Sequence, residues 1–330
     1  MTVPIFCPRT GETTLAGRVN VRRMSVLGLL AVVSLWPAAA EAQIFGRGAR
    51  TEFISGFGIR TFVSFLEVRD LLTAGNEVDD PAQRSVSVRA TPISLVYGLR
   101  RSVSVVGIFP FVDKEMTSSG PDGSTTIGGG TGIGDATFLV KWRFFRRDRG
   151  RGTLRIAVEG GMKTPTGSDD LRAAGGGRLP AALQRGSGSW DPTAGLTLTW
   201  APATERGRWM FTGDVGTTIA TEANEFEQGN RFAYDAMAKY RIHPARYPGR
   251  DTFLLLEING RWQGRARSMG LQLADSGGHV VYLSPGIQFL LRGNLILEGG
   301  VQIPVLRDLN GTQLAPSFNG LVGLRYIIVP

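Results

Sequence analysis

"GGTGIGDATFLVKWRFF", from Gly129 to Phe145, admits two readings. Its glycines belong either to a loop that cradles a phosphate or to a surface loop that feeds a strand. A phosphate loop has to open a helix, because the N–H groups and dipole of the helix N-terminus hold the anion. After Asp135 the chain instead places Ala136, Phe138, Val140, Trp142 and Phe144 on one parity, with Thr137, Lys141 and Arg143 on the other. A period of two is the mark of a strand with one apolar and one polar face. No Gly-Lys-Ser/Thr accompanies it, so the stretch is the end of a loop and the start of a strand.

The same alternation recurs along the chain. Leu154, Ile156 and Val158 oppose Arg155 and Glu159, and Trp209, Phe211 and Val215 oppose Thr212 and Asp214. Phe232, Tyr234, Ala236, Ala238, Tyr240 and Ile242 oppose Arg231, Asp235, Lys239 and Arg241. Leu254, Leu256, Ile258 and Trp262 oppose Glu257, Asn259 and Arg261, and Leu295, Leu297, Val301 and Ile303 oppose Glu298 and Gln302. The pattern predicts twelve strands, over 51–67, 84–98, 102–112, 132–145, 153–165, 187–200, 208–220, 231–242, 251–264, 278–291, 294–306 and 316–328. Pro92 interrupts the second and points to a bulge or irregular edge there.

These strands are longer than the globular average and match what a tilted strand needs to cross a bilayer. Connections alternate too: the turns at 99–101, 146–152 and 292–293 are short, whereas 68–83, 113–131, 166–186, 221–230 and 265–277 are mostly longer. The fold class is therefore all-β, a transmembrane up-and-down antiparallel barrel of about twelve strands with both termini in the periplasm. A soluble sandwich, the competing fold, does not account for the strand length together with an aromatic girdle and an export signal.

Cost decides which parity faces lipid. A Lys or Arg on the lipid face near the midplane costs about 2–4 kcal/mol, and a few of them would consume the stability of a whole protein. Lys141, Arg143, Arg155, Glu159, Lys163, Asp214, Asp235, Lys239, Arg241, Glu257, Arg261 and Glu298 are thus predicted to line the pore. Adjacent strands are expected to set Lys141 and Arg155 near Glu159, and Asp235 and Lys239 near Glu257 and Arg261. Trp142, Trp190, Trp200, Trp209, Tyr240 and Trp262 sit near strand ends on the oily parity, as an interfacial girdle requires. By the same logic Val158→Arg should impair insertion, and Ala157→Arg should be tolerated or alter only conductance.

The 330 residues are 42% hydrophobic, with 45 glycines, a mean hydropathy of −0.01 and a net charge of +9. Arg22 and Arg23, the apolar run Met24–Trp36 and the small-x-small site Ala40-Glu41-Ala42 have the form of a signal peptide over 1–42, with Met24 a second candidate start. The mature barrel domain is then 43–330. Removing the leader takes four basic and two acidic residues from +9 and leaves +7. Cys7, the only cysteine, leaves with it, so disulfides and Cys-ligated metal are excluded from the mature chain. No later run is long and apolar enough for a membrane helix. The basic excess lies in the short turns, rich in Arg, where it faces outer-membrane lipid headgroups and makes nucleic acid unnecessary as a partner. The long loops are acidic instead, with Asp79, Asp80, Asp169, Asp170, Glu222, Glu225 and Glu227.

Three segments, "GTGIGDATFLVKWRFF" (Gly130–Phe145), "GGMKTPTGSDD" (Gly160–Asp170) and "GSGSWDPTAGLTLTW" (Gly186–Trp200), resemble the bacterial outer-membrane family named after the MetA pathway of phenol degradation. "YGLRRSVSVVGIFPFV" (Tyr97–Val112) is similar to that family's early hairpin. The resemblance is carried mainly by residues 95–200, and its motifs are strand-loop junctions rather than catalytic signatures. It implies an outer-membrane barrel that transports aromatic or other hydrophobic compounds. At the C-terminus the chain departs from the usual barrel ending in an aromatic residue. Leu324-Arg325-Tyr326 is followed by Ile327-Ile328-Val329-Pro330, so recognition by the barrel assembly machinery is expected to rest on Tyr326.

Between Lys163 and Gly186 the loop 168–185, with Leu171, Leu179, Pro180, Ala181, Ala182 and Leu183, is oily enough to fold inward and constrict the lumen. The other reading is a mobile extracellular loop. Passive passage of a small-molecule solute is the expected function, with a sealed barrel serving as anchor or assembly partner as the alternative. An outer-membrane hydrolase would need a Ser-His pair, and only His243 and His279 are present; His243 falls in a periplasmic turn, and His279 is followed by Val280-Val281-Tyr282 with no serine placed beside it. No catalytic residue, cofactor or metal site is predicted, the chain offering no ligand cluster of the right spacing. No motif names the solute, the direction of flux or the oligomeric state.

Overall fold

Twelve antiparallel strands run in chain order round a closed sheet in this computed structural model, which describes residues 44–51, 54–120, 123–173, 176–203, 207–243 and 250–328. The strands are β1 (Phe57–Thr73), β2 (Ser85–Arg100), β3 (Val103–Gly120), β4 (Thr137–Arg149), β5 (Gly152–Lys163), β6 (Asp191–Pro202), β7 (Trp209–Thr218), β8 (Arg231–His243), β9 (Asp251–Gln263), β10 (Gly278–Arg292), β11 (Leu295–Leu309) and β12 (Thr312–Ile328). β12 pairs back onto β1 from Phe57↔Ile328 to Thr73↔Thr312 and closes the ladder. Closure leaves no unpaired edge, the condition for backbone to cross hydrocarbon as sheet. No helix among the described residues is long and apolar enough to cross a membrane.

Alternation sorts the side chains as lipid demands. Along β9, Leu254, Leu256, Ile258 and Trp262 are 46–50% exposed on the outer face, while Phe253, Leu255, Glu257 and Asn259 between them are at most 5% exposed. Leu196 and Leu198 of β6 and Val158 of β5 repeat the pattern.

Several strands begin or end elsewhere than the alternation predicts. β1 starts at Phe57 rather than at 51, because the chain before it enters the lumen. The stretch 113–131 is not a loop: β3 continues to Gly120 and is met by a returning ladder, Gly123–Ile133. Beyond the bilayer both faces of such a ladder are wet, so no oily parity marks it in sequence. The loops 221–230 and 265–277 likewise contribute short pieces, Glu222–Ala223, Phe226–Glu227, Arg267–Ser268 and Leu271–Gln272, to a small sheet of their own. Pro92 causes no bulge. It pairs with Pro110 on β3, and the β1–β2 ladder simply skips from Thr61↔Ile93 to Ser64↔Ala90 without a shift in register, because proline has no N–H to donate. A bulge occurs instead on β4 between Trp142 and Phe145, which leaves Phe144 and Phe145 both on the outer face.

Candidate functional site

Inward parity brings the charged residues of neighbouring strands into a belt. Lys141 meets Glu159 at 3.3 Å, Arg261 meets Asp235 at 2.8 Å, and Lys163 bridges Asp135 at 3.0 Å and Asp191 at 2.8 Å. Glu298 takes Arg60 at 2.5 Å, Gln288 Nε2 at 3.0 Å and Arg325 at 3.7 Å. Amides and hydroxyls extend the belt: Asn259 donates to Asp235 at 2.6 Å and accepts from Ser284 at 2.5 Å and Gln302 at 3.1 Å. Buried charges are tolerated when paired and hydrogen-bonded, as Glu159, Asp235 and Glu298 are here.

The pairing differs from expectation at Glu257 and at four bases, Lys239, Arg155, Arg143 and Arg241. Lys239 does not reach Glu257; fully buried, it donates to Gln288 at 2.8 Å and lies 4.1 Å over the Phe253 ring. Its register partner on β9 is Leu255, so Glu257 lies two residues away along the strand. Arg155 stands opposite Arg146 and Thr199, a level nearer the short turns than Glu159. Arg143 and Arg241 also leave the belt: Arg143 donates to the Arg101 carbonyl in the first short turn, and Arg241 pairs with Asp251 at the start of β9.

Glu257 is taken by the segment that precedes β1. Ile44 N–H donates to it at 2.6 Å and Phe45 N–H at 3.2 Å. Arg47 donates from its backbone to Asp214 at 2.9 Å and from its side chain to Asp214 at 3.1 Å and to Glu159. Ala49 N–H donates to Thr199 Oγ1 at 3.1 Å, Lys141 Nζ to the Gly48 carbonyl at 2.8 Å, and Arg60 to the Ile44 carbonyl at 2.6 Å. Thr51 reaches the first short turn, donating to the Arg101 carbonyl at 2.9 Å. Short turns mark the periplasmic end in barrels of this kind, so the segment enters there and crosses the bore to the far wall. Two pairs of facing glycines make room for it. Gly195 and Gly216 are register partners whose Cβ atoms would run into the Arg47 guanidinium; Gly286 and Gly300 are partners whose Cβ atoms would run into Ile44 and Phe45.

Beside Lys239 and Gln288 the inner wall also carries an apolar cluster. Ile44 packs there with inward-facing Met237, Phe253, Leu255, Leu290, Ile296 and Leu321, backed by Phe45 and Phe62. The expectation of one oily and one polar parity missed these residues because they interrupt an otherwise polar face. Ala157 is fully buried on this inner wall, so Ala157→Arg has no free lumen to enter and the expected tolerance is corrected.

Above the segment lies a cavity of about 940 Å³, floored by Phe45 and Arg47 and reaching the long-loop end at Asp275–Gly278. Its walls mix Arg231, Asp235, Arg261 and Tyr282 with Leu139, Val280 and Leu314. Loop 168–185 packs onto the β3 extension: Lys114 Nζ donates to the carbonyls of Ala182 at 3.0 Å and Gln184 at 2.6 Å, and Leu179 and Leu183 are buried. Ala181 and Ala182 thereby line the cavity mouth.

On the outside, Trp142, Trp200, Trp209 and Tyr240 gather near the short-turn end, with Trp209 stacked on Phe211 and tilted against Tyr240 at 4.7 Å. Trp190 and Trp262 stand at the other end and are well exposed. His279 is on this outer face too, 3.2 Å from the Tyr234 hydroxyl. The side chain of His243 lies outside the described residues, as do the predicted leader and Met24. Among the described residues no group of three or more His, Cys, Asp or Glu is placed to hold a metal.

The family model described as "Putative MetA-pathway of phenol degradation" matches residues 78–305. The chain belongs to that family. No curated protein matches it significantly. Among solved structures it is similar to an outer membrane channel from Pseudomonas putida F1, at 14% identity and a TM-score of 0.65, over 87% of this chain and 100% of that one. The β-domain of the Bordetella autotransporter Brka aligns at 11% identity and a TM-score of 0.42, over 82% and 98% of the two chains. The first likeness shows a shared barrel fold. With its closed ladder and apolar outer face, the chain is a barrel of the bacterial outer membrane.

Proposed function

We propose that the barrel is a passive channel for small hydrophobic or aromatic solutes bearing a weak polar group. The observation that carries this reading is the 940 Å³ cavity, which is of the size that takes a small organic molecule and combines apolar wall with a few converging polar groups. Tyr282 and Leu139 offer ring and aliphatic contact, while Arg231, Asp235 and Arg261 present both signs of charge to a dipole. The family description points the same way, and the Pseudomonas putida relative is described as a channel. Catalysis has no support: His279 faces outward and its partner is a phenol rather than a serine hydroxyl. Removal of 1–42 on export, and assembly through β12 with Tyr326 as the aromatic signal, complete the reading.

The test is planar-bilayer conductance of refolded 43–330, with aromatic compounds as blockers. Low, weakly ion-selective conductance that aromatics block is the expected result, and Glu159→Ala with Glu257→Ala should shift selectivity towards anions. One observation favours a sealed anchor instead: the segment Ile44–Thr51 occupies the bore, bonded to Glu257, Asp214 and Thr199. A barrel silent in bilayers and in liposome swelling, with the double variant equally silent, would establish that second reading.

A further inference from the structure

We propose that the outer wall of β4–β8, at its short-turn end, binds an anionic glycerophospholipid of the periplasmic leaflet, with the phosphate on Arg147 and Arg149 and an acyl chain in a trough below them. The inference holds whether or not the bore conducts. Register gathers the parts on one patch. In one row across the wall, Arg147 of β4 faces Leu154 of β5, Leu154 faces Trp200 of β6, and Trp200 faces Phe211 of β7. Neighbouring strands lie about 4.8 Å apart, so Arg147 stems from a point roughly 10 Å from Trp200. One step nearer the turn, Arg149 faces Gly152, which has no side chain to cover it. Both arginines are exposed and pair with no acid among the described residues, whereas Arg146 beside them is taken by Asp148 at 2.7 Å.

From Trp200 the patch continues as a row of rings. Trp200 stacks on Phe211 at 5.6 Å, Phe211 on Trp209 at 5.8 Å, and Trp209 tilts against Tyr240 at 4.7 Å. Arg208 donates to the Tyr240 hydroxyl at 3.2 Å and brings another positive charge to this level. Rings with a polar edge mark the boundary between headgroup and acyl chain, and a guanidinium fork matches phosphate oxygens. Towards the midplane the next row runs through Leu198, Gly213, Ala236 and Ile258. A Cβ on Gly213 would meet nothing nearer than the Asp235 carbonyl at 3.8 Å, and Ala236 and Ala238 extend this shallow floor onto β8. Leu198 on one side and Leu256 and Ile258 on the other rise above it, 41–50% exposed. The trough has the width of a single hydrocarbon chain and leads down from the rings. Because this face is turned to hydrocarbon, a lipid is already its neighbour, and the unpaired arginines decide the sign of its headgroup.

The refolded chain 43–330 with Trp190→Phe and Trp262→Phe retains Trp142, Trp200 and Trp209, which report on this end of the barrel. In phosphatidylcholine vesicles, dibrominated phosphatidylglycerol and dibrominated phosphatidylcholine should be compared as quenchers of their fluorescence. We expect phosphatidylglycerol to quench with several-fold higher relative affinity, and Arg147→Gln with Arg149→Gln to abolish that preference. Gly213→Leu, which fills the trough without touching a charge, should lower it. Arg100→Gln with Arg101→Gln, in a turn outside the patch, should leave it intact. Equal quenching by the two lipids in the parent barrel would overturn the proposal. Equal loss of preference in the two arginine pairs would overturn it too, by showing diffuse attraction to a basic rim. If Arg147→Gln with Arg149→Gln loses the heat-modifiable gel mobility of a folded barrel, Gly213→Leu decides alone, and an unchanged preference there overturns the site.

Discussion

Glu298 is an acid buried beneath two arginines and an amide, and its worth lies in what its removal leaves behind. Glu298→Ala strands Arg60 and Arg325 in the wall, and we expect a loss of about 3 kcal/mol, with Glu298→Gln less damaging because it keeps hydrogen-bonding capacity. Urea unfolding in lipid vesicles, read by tryptophan fluorescence, measures both. Neighbouring residues on β5 separate lipid from lumen. Val158→Arg faces the hydrocarbon and should cost about 2–4 kcal/mol, more in thicker bilayers. Ala157→Arg overfills the buried inner wall and should cost roughly 1–3 kcal/mol regardless of bilayer thickness. Equal sensitivity of the two to thickness would refute the parity of this strand.

At the scale of elements, the outer wall near the loops depends on a missing side chain. Gly260 on β9 lets the Tyr234 ring of β8 lie across it, where a Cβ would collide with the ring, and carries the Tyr234 hydroxyl to His279 on β10. An aromatic ring covering a strand glycine ties neighbouring strands together. Gly260→Ala should push the ring aside and destabilise the barrel by about 1–3 kcal/mol, visible in the same unfolding assay. Loop 168–185 is held to the β3 extension by Lys114, whose ammonium donates to two of its carbonyls. Charged hydrogen bonds are worth about 1.5–3 kcal/mol each, so Lys114→Met should raise the rate of tryptic cleavage at Arg172 and Arg178 by roughly tenfold or more. Unchanged cleavage would mean that the apolar contacts of Leu179 and Leu183 hold the loop alone.

For the whole molecule, stability comes from a closed ladder, an oily exterior and an ion-pair interior shielded from bulk salt. Screening acts weakly on buried charges, and the paired acids Glu159, Asp235 and Glu298 are at most 6% exposed even where their basic partners reach the cavity. The midpoint of thermal unfolding should therefore change little between about 0.1 and 1 M sodium chloride, although the Debye length falls from roughly 10 to 3 Å across that range. A steep fall with salt would show that the belt is wet and the lower bore open at rest.

The alternation after Asp135, and its repeats through to β12, determined the barrel, its strand number and its lipid face, because a charge in hydrocarbon is so costly that every wall strand must repeat one local pattern. The small changes of strand end are local as well: a ladder in water, such as Gly123–Ile133, has no lipid face to reveal it. What fills the bore was decided by the tertiary structure alone. Gly195, Gly216, Gly286 and Gly300 stand in the sequence as gaps on the inner parity, but nothing near them names Ile44, Phe45 or Arg47 as the groups that occupy them. Lys239 turns to Gln288 rather than Glu257, and Phe253, Leu255 and Ile296 form an apolar cluster on a face that is polar elsewhere. Lys239 and Gln288 meet across the intervening β9, and the groups that fill the glycine recesses come from chain far away in sequence, so no period along the chain records either contact.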